Sequence, residues 1–432
     1  MKNFSIILLT VFIISAIVGI LIFSGMIPLG SQEGKEGSGG TVVMWGTVKI
    51  ASITKAIESF NKENKVYVLK YVEKNQDTLD TDLLEALASG TGPDIFFISE
   101  DLAYKYSNKI LTIPYKSYPL SVFRETFSSA GEVFLTSEGF LAFPMTVDPL
   151  VLYYNRNILD TNGIIYPPLY WDQLNEFNSK LTRKDSVGKI QKSAFALGQY
   201  SNITNAKDIL SMFLLQVGNP IVFEKKGSFL SSLNTQIGNY KPEEILEFYT
   251  SFTDPLNENY SWNKSLPLSR DSFIAGNLAF YFGFASELNP MIARNPNLNF
   301  NIAPVPQIKD AEVKVTSGRV IGLAISSFSK NLNSSFIVAN LLATGNFAKE
   351  FAKAQNLAPA RRDLLLALSN SDDAFLPTFY SSALFTRSWL DPNPKESSII
   401  FSRMIENILS NNLTVTQSMK DASSKLNLLL MK

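Results

Sequence analysis

From Thr41 to Ser99 short apolar runs alternate with segments of helical spacing, and this alternation leaves few folds open. The runs are TVVMWGT (41–47), KVYVLKYV (65–72) and DIFFIS (94–99). The second is apolar on both faces, as a strand inside a covered sheet is. Between the first two runs Ile50, Ile53, Ile57 and Phe60 recur at helical spacing. Between the second and third, Leu79, Leu83, Leu84 and Leu87 line one helix face; Asp77 or Thr78 can cap it and Gly90 can end it. The order β-α-β-α-β predicts a mostly parallel sheet with helices on both faces, an α/β fold. Gly90 and Gly92 give the backbone freedom at the helix stop, Pro93 forbids its continuation, and Asp94 can bond nearby amides in the turn. Ligands of open α/β sheets bind beyond the carboxyl ends of the strands. The tips Trp45-Gly46-Thr47 and Ser99-Glu100-Asp101 are therefore the first places to look.

The chain has 432 residues, enough for two or three domains with their own cores. It contains no cysteine and no histidine. Cys- or His-based zinc sites, CxxC centres, Cys nucleophiles, Ser-His-Asp triads and disulfides are all excluded. Lys+Arg and Asp+Glu are 39 each, so no basic excess points to nucleic acid. No nucleotide motif is present, and neither a metal nor a cofactor is expected.

Residues 4–26, FSIILLTVFIISAIVGILIFSGM, form an apolar run without charge. As a helix it spans about 35 Å at 1.5 Å per residue, against a bilayer core of roughly 30 Å. We expect residues 1–29 to be an N-terminal transmembrane anchor, with a cleaved secretory signal as the alternative. Residues 30–40, GSQEGKEGSGG, then read as a flexible linker.

Further along, GFLAFPMTVDPLVLYYNRN (139–157) reads as two strands joined by an extended turn around Pro144 and Pro149. Residues 205–217 and 241–252 look helical, and 270–284 reads as a helix stopped at Gly276 followed by an apolar strand. Further strands are expected at 299–307 and 317–327, and a long amphipathic stretch from about Ser397 to Leu430.

Six elements, taken in order, resemble the extracellular solute-binding proteins of ABC importers, in the group that includes maltose-binding protein and other sugar binders. They are Met44-Trp45-Gly46, then Ala88 to Ile95, then Gly139 to Pro144 with Asp148, Leu150, Leu152, Tyr154 and Asn155. After these come Pro167 to Leu174 around Trp171, Phe273-x-x-Gly276-x-x-Ala279, and Ala303-Pro304-Val305-Pro306. Such proteins are usually lipid-anchored through an N-terminal cysteine, which this chain lacks.

The resemblance implies a two-lobe periplasmic-binding-protein fold, type II-like. Lobe one is expected at 41–147 plus 303–345 and lobe two at 148–302 plus 346–432, with crossovers near Val147-Asp148, Ile302-Ala303 and Gly345. The implied function is a membrane-tethered, extracytoplasmic receptor, a monomer, that captures a carbohydrate between its lobes and presents it to ABC permease subunits. A polyamine, peptide or polyol phosphate as ligand, a sensor or adhesion module, and a carboxylate glycoside hydrolase are the alternatives. No enzyme activity is expected, because a carboxylate in a sugar cleft need only accept hydrogen bonds.

Eight residues are candidates for the ligand site. Trp45 could stack on a sugar ring, and Glu100 could accept hydroxyl hydrogen bonds. Asp148 matches an acidic hydroxyl-binding position of the sugar-binding relatives. Tyr281, Phe284 and Glu287 follow the apolar strand of the second lobe. Arg319 could bond a hydroxyl or carboxylate or bridge the lobes. Trp389 is the candidate for a further aromatic platform. The alternatives to these roles are core packing for the aromatic residues and a solvated surface position for the charged ones.

Overall fold

The computed structural model describes residues 40–237 and 240–431. The expected anchor at 1–29 and nearly all of the linker lie outside these residues. Among the described residues no helix is long and apolar enough to cross a membrane.

The first α/β unit follows the periodicity. Strands β1 (Thr41–Gly46), β2 (Val68–Glu73) and β3 (Ile95–Ser99) are separated by helices Ile50–Glu63 and Leu79–Ser89. β1 lies between β2 and β3 and is parallel to both. Val42, Met44 and Ile95 are fully buried under the helices, which present Ile53, Phe60, Leu83 and Leu87 to them. Each such side chain contributes about 1.5–3 kcal/mol by leaving water. Gly90 ends the second helix in the left-handed region at φ 70, where a Cβ is disfavoured. Asp94 reaches further than its own turn: Val43 N donates to its carboxylate at 2.9 Å, and Ser329 Oγ donates to its other oxygen.

Strand β4 (Ala142–Asn155) runs 14 residues without a break, where the two prolines led us to expect two strands. Beyond it come β5 (Ile190–Phe195), β6 (Leu278–Phe284), β7 (Phe300–Ala303) and β8 (Thr316–Ile325). The strands hydrogen-bond in the order β2-β1-β3-β8-β4-β6-β5, with β7 also on β4. Pro144 and Pro149 are tolerated because each faces a glycine of β8, Gly322 and Gly318. The register slips between Ile321 and Gly322, and a bulge of this kind is where a strand can lack one amide donor. A Cβ on Gly318 would lie 2.8 Å from the Asp148 carbonyl oxygen and closer still to Thr386 Cγ2, so only glycine permits this approach.

The first half of β4 pairs with the second half of β8, which in turn pairs with β3. The second half of β4 pairs with β6 and β7. These two strands thus connect a unit built on β1–β3 with a unit built on β5–β7, and they do so side by side.

Two expected boundaries move. The segment after β7 stays on the second unit: Gln216 Nε2 donates to the carbonyls of Pro306 and Val315, and Trp171 N donates to Gln307 O. The return to the first unit is made by β8 rather than at Ile302-Ala303. Likewise the chain does not leave the first unit at Gly345. Helix Asn346–Ala354 lies against helix Ile50–Glu63, and its Phe351 stacks on Phe97 with ring centroids 4.4 Å apart. Ala358–Pro359 pairs with β4, and Thr386–Arg387 pairs with β8. Helices Pro394–Leu409 and Val415–Leu430 then close the second unit. They replace the single amphipathic stretch expected from Ser397 to Leu430. Asn411, at φ 55, breaks it, and Thr414 caps the second helix through Gln417 N.

Candidate functional site

A cavity of about 370 Å³ lies where the two units meet. Its walls come from the tip of β3, the crossing segments of β4 and β8, the start of helix Ala206–Gln216, and residues 387–394. Four of the expected site residues line it: Glu100, Asp148, Arg319 and Trp389.

Glu100 opens the helix Glu100–Tyr106 directly after β3. Its carboxyl accepts from Val320 N at 2.9 Å. Burial pushes it up to about 8, with the neighbouring Asp101 adding to the shift and the Val320 amide opposing it. Glu100 is thus largely protonated at neutral pH. In the unfolded chain it titrates near 4.5. Between these values the folded form keeps a proton that the unfolded form has lost, so stability falls as pH rises through the window and levels off above it. Glu100→Gln should remove this slope. In urea unfolding, the stability of the variant relative to the native chain should rise by on the order of 1–3 kcal/mol from pH 6 to pH 9. A difference independent of pH would show that Glu100 is not desolvated.

Asp148 is buried on β4, opposite Arg319 of β8. Ser286 grips its carboxylate with both N–H (2.9 Å) and hydroxyl (2.6 Å). Burial raises it to about 6, against the pull of Ser286 and Arg319. The Arg319 guanidinium lies 3.9 Å from the centroid of Phe284 and 3.9 Å from Asp208 Oδ2. Asp208 is itself raised by burial, which Arg319 and Lys207 oppose. Trp389 is backed by Phe401, with centroids 6.1 Å apart and planes at 26°.

The other four do not line this cavity. Trp45 is buried at the end of β1, and the Lys74 ammonium sits 3.8 Å over its ring, where the sugar was expected. Tyr281 and Phe284 belong to a strand that is buried on both faces. Glu287 caps the turn after that strand: it accepts from Phe284 N at 3.0 Å, Tyr281 Oη at 2.6 Å and Asn205 Nδ2 at 2.7 Å. Its oxygens are consumed by the fold. Phe284 acts only indirectly, as the surface on which Arg319 rests.

Several lining residues carried no signal in the sequence. Lys207 Nζ meets Asp391 Oδ2 at 2.6 Å, with Ser397 Oγ at 3.2 Å. Asp391 also accepts from Ser397 Oγ at 2.7 Å and Asn393 N at 3.1 Å. Arg387 lines the cavity as well, along with Asp101 of the strand tip already singled out. Thr146 does too; its Oγ1 is buried and has no hydrogen-bond partner among the described residues.

The two units also touch away from the cavity. Ser137 donates from N (3.1 Å) and Oγ (2.9 Å) to the Glu224 carboxylate, and Tyr104 packs edge-on against Phe229 at 5.6 Å.

A partly open cavity of mixed polar and apolar lining, at the meeting of two α/β units that share paired crossing strands, defines a two-lobe binding protein. Residues 55–377 match the family described as bacterial extracellular solute-binding protein, and the chain belongs to that family. It is a family of extracytoplasmic binding proteins, not of enzymes. Solved structures share the fold at low identity. A cyclo/maltodextrin-binding protein complexed with maltotetraose gives a TM-score of 0.71 at 16% identity, over 92% of this chain and 98% of its own. A cyclic alpha-maltosyl-1,6-maltose binding protein from Arthrobacter globiformis gives 0.72 at 15%, over 90% and 99%. The sugar-binding protein MalE from Xanthomonas citri gives 0.70 at 16%, over 91% and 98%.

Proposed function

We propose that the protein is the solute receptor of an ABC importer and that it takes a carbohydrate into the cavity between its lobes. The observation that carries this reading is that one cavity is lined both by an indole backed by Phe401 and by Thr146, whose buried Oγ1 has no hydrogen-bond partner among the described residues. An apolar platform suits the CH face of a sugar ring, and an orphan hydroxyl gains a partner when a ligand hydroxyl arrives. Carboxylates and guanidinium groups around them supply directional acceptors and donors. The structural neighbours named with maltotetraose and cyclic maltosyl-maltose support the same ligand class. The apolar run at 4–26 and the polar linker after it would tether the receptor beside its permease, to which the closed form delivers the sugar.

A thermal-shift screen tests the ligand class. Linear and cyclic maltodextrins and other oligosaccharides are expected to raise the Tm, with a stabilisation of about 2.7 kcal/mol at a hundredfold excess over Kd. A shift with polyamines or peptides and none with any carbohydrate would overturn the proposal.

A further inference from the structure

The three cations that line the cavity differ in one respect. Lys207 is matched by Asp391 at 2.6 Å, and Arg319 lies 3.9 Å from Asp208 and against the Phe284 ring. Arg387 is half-buried, yet no carboxylate of the described residues lies within 4.0 Å of it, and it makes no side-chain hydrogen bond among them. Its place is fixed by the backbone, since Thr386–Arg387 pairs in parallel with Thr316-Ser317 of β8. Two residues on stands Trp389, which lines the same cavity with Phe401 behind it and the Lys207 ammonium 5.8 Å from its ring centroid.

The acids of the cavity do not pair with Arg387: none lies within 4.0 Å of it among the described residues, and each has a nearer partner. Asp391 holds Lys207, Asp148 holds Ser286, and Asp208 faces Arg319. Asp101 accepts from Ser99 Oγ, and Glu100 accepts from Val320 N. Closing a water-filled cleft over a neutral ligand would strip water from a guanidinium and return no opposite charge. Closing it over an anion would return a charge-assisted and potentially bidentate pair.

Building on the carbohydrate reading above, we propose that Arg387 selects an acidic carbohydrate, one whose ring carries a carboxylate, by pairing with that carboxylate while Trp389 takes the ring face. A planar carboxylate matches the guanidinium fork, and the short spacing from Arg387 to Trp389 suits a carboxylate borne on the stacked sugar itself.

The experiment compares trigalacturonate, maltotriose and a sugar phosphate by calorimetric titration of the native chain, Arg387→Gln and Arg387→Lys. Trigalacturonate is expected to bind the native chain at least about tenfold more tightly than maltotriose, the difference that one charge-assisted pair supports. Arg387→Gln should lose that preference, its affinity for trigalacturonate falling at least about tenfold further than its affinity for maltotriose, and Arg387→Lys should keep part of it because the charge remains and the fork is lost. Arg387 makes no side-chain hydrogen bond or ion pair among the described residues, so the melting temperatures of both variants should stay close to native, which separates recognition from folding. Equal affinity for the acidic and neutral trisaccharides, a preference that survives Arg387→Gln, or tighter binding of the phosphate than of the carboxylate would each overturn the assignment and leave the carbohydrate reading standing. Binding of no carbohydrate at all would instead remove the reading on which it rests.

Discussion

Lys207→Ala is expected to destabilise the folded chain by about 3–5 kcal/mol, the usual cost of leaving one member of a buried ion pair alone. The side chain of Asp391 is only 5% exposed and that of Lys207 18%, so water replaces the missing partner poorly. The pair also joins elements far apart in the chain: Lys207 stands at the start of helix Ala206–Gln216, and Asp391 precedes helix Pro394–Leu409. Urea unfolding of Lys207→Ala, Asp391→Ala and the double variant at neutral pH measures the coupling. The double variant should be less destabilised than the sum of the two single variants by about 1–3 kcal/mol, because no charge is then left without its counterpart. Additive effects, each below about 1 kcal/mol, would show the pair to be screened by solvent.

The second large effect is expected at Trp389. Trp389→Ala should weaken oligosaccharide binding about a hundredfold, in the range of an aromatic anchor in a desolvated pocket. It should also cost about 3 kcal/mol of stability through the gap left beside Phe401. A milder change separates the two effects. Of the four tryptophans, Trp45, Trp171 and Trp262 are buried away from the cavity, and only Trp389 lines it. Trp389→Phe keeps a ring against Phe401 and should abolish the ligand-induced change in intrinsic fluorescence. A full fluorescence response in that variant would place the ligand away from this indole.

The two expectations for Trp45 and Trp389 illustrate what a sequence discloses. Both are aromatic residues at or near strand ends, and the local pattern, Met44-Trp45-Gly46, favoured the one that does not line the cavity. Trp45 is lost to the site because β1 ends outside the cavity, with Lys74, one residue beyond β2, holding its ammonium 3.8 Å over the ring, whereas Trp389 lines the cavity. The alternation of strand and helix from Thr41 to Ser99 was legible because periodicity is a property of neighbours along the chain. The continuity of β4 was not, since Pro144 and Pro149 read as breaks until the facing glycines of β8, far away in sequence, are known. Glu100 and Asp148 could be placed because strand tips and a family pattern pointed to them. Lys207, Asp208, Arg387 and Asp391 escaped because they converge from segments nearly two hundred residues apart, and none belongs to a recurring motif. Glu287 misled for the opposite reason: a carboxylate shortly after a strand is also what a helical turn needs for its cap.

The side-by-side passage of β4 and β8 between the lobes has a mechanical consequence. A pair of cross-bonded strands is stiff against sliding and stretching, and compliant mainly to flexing out of its own plane. Any swing of one lobe is therefore expected to pivot about Val147–Pro149 and Gly318–Val320, with displacement growing away from them. Asp148 and Arg319, facing each other across these strands, should keep their mutual spacing, whereas the Ser137–Glu224 contact away from the cavity should part. A guest would meet a grip already assembled at the fulcrum, and its residence time would be governed by the clasp at the far edge.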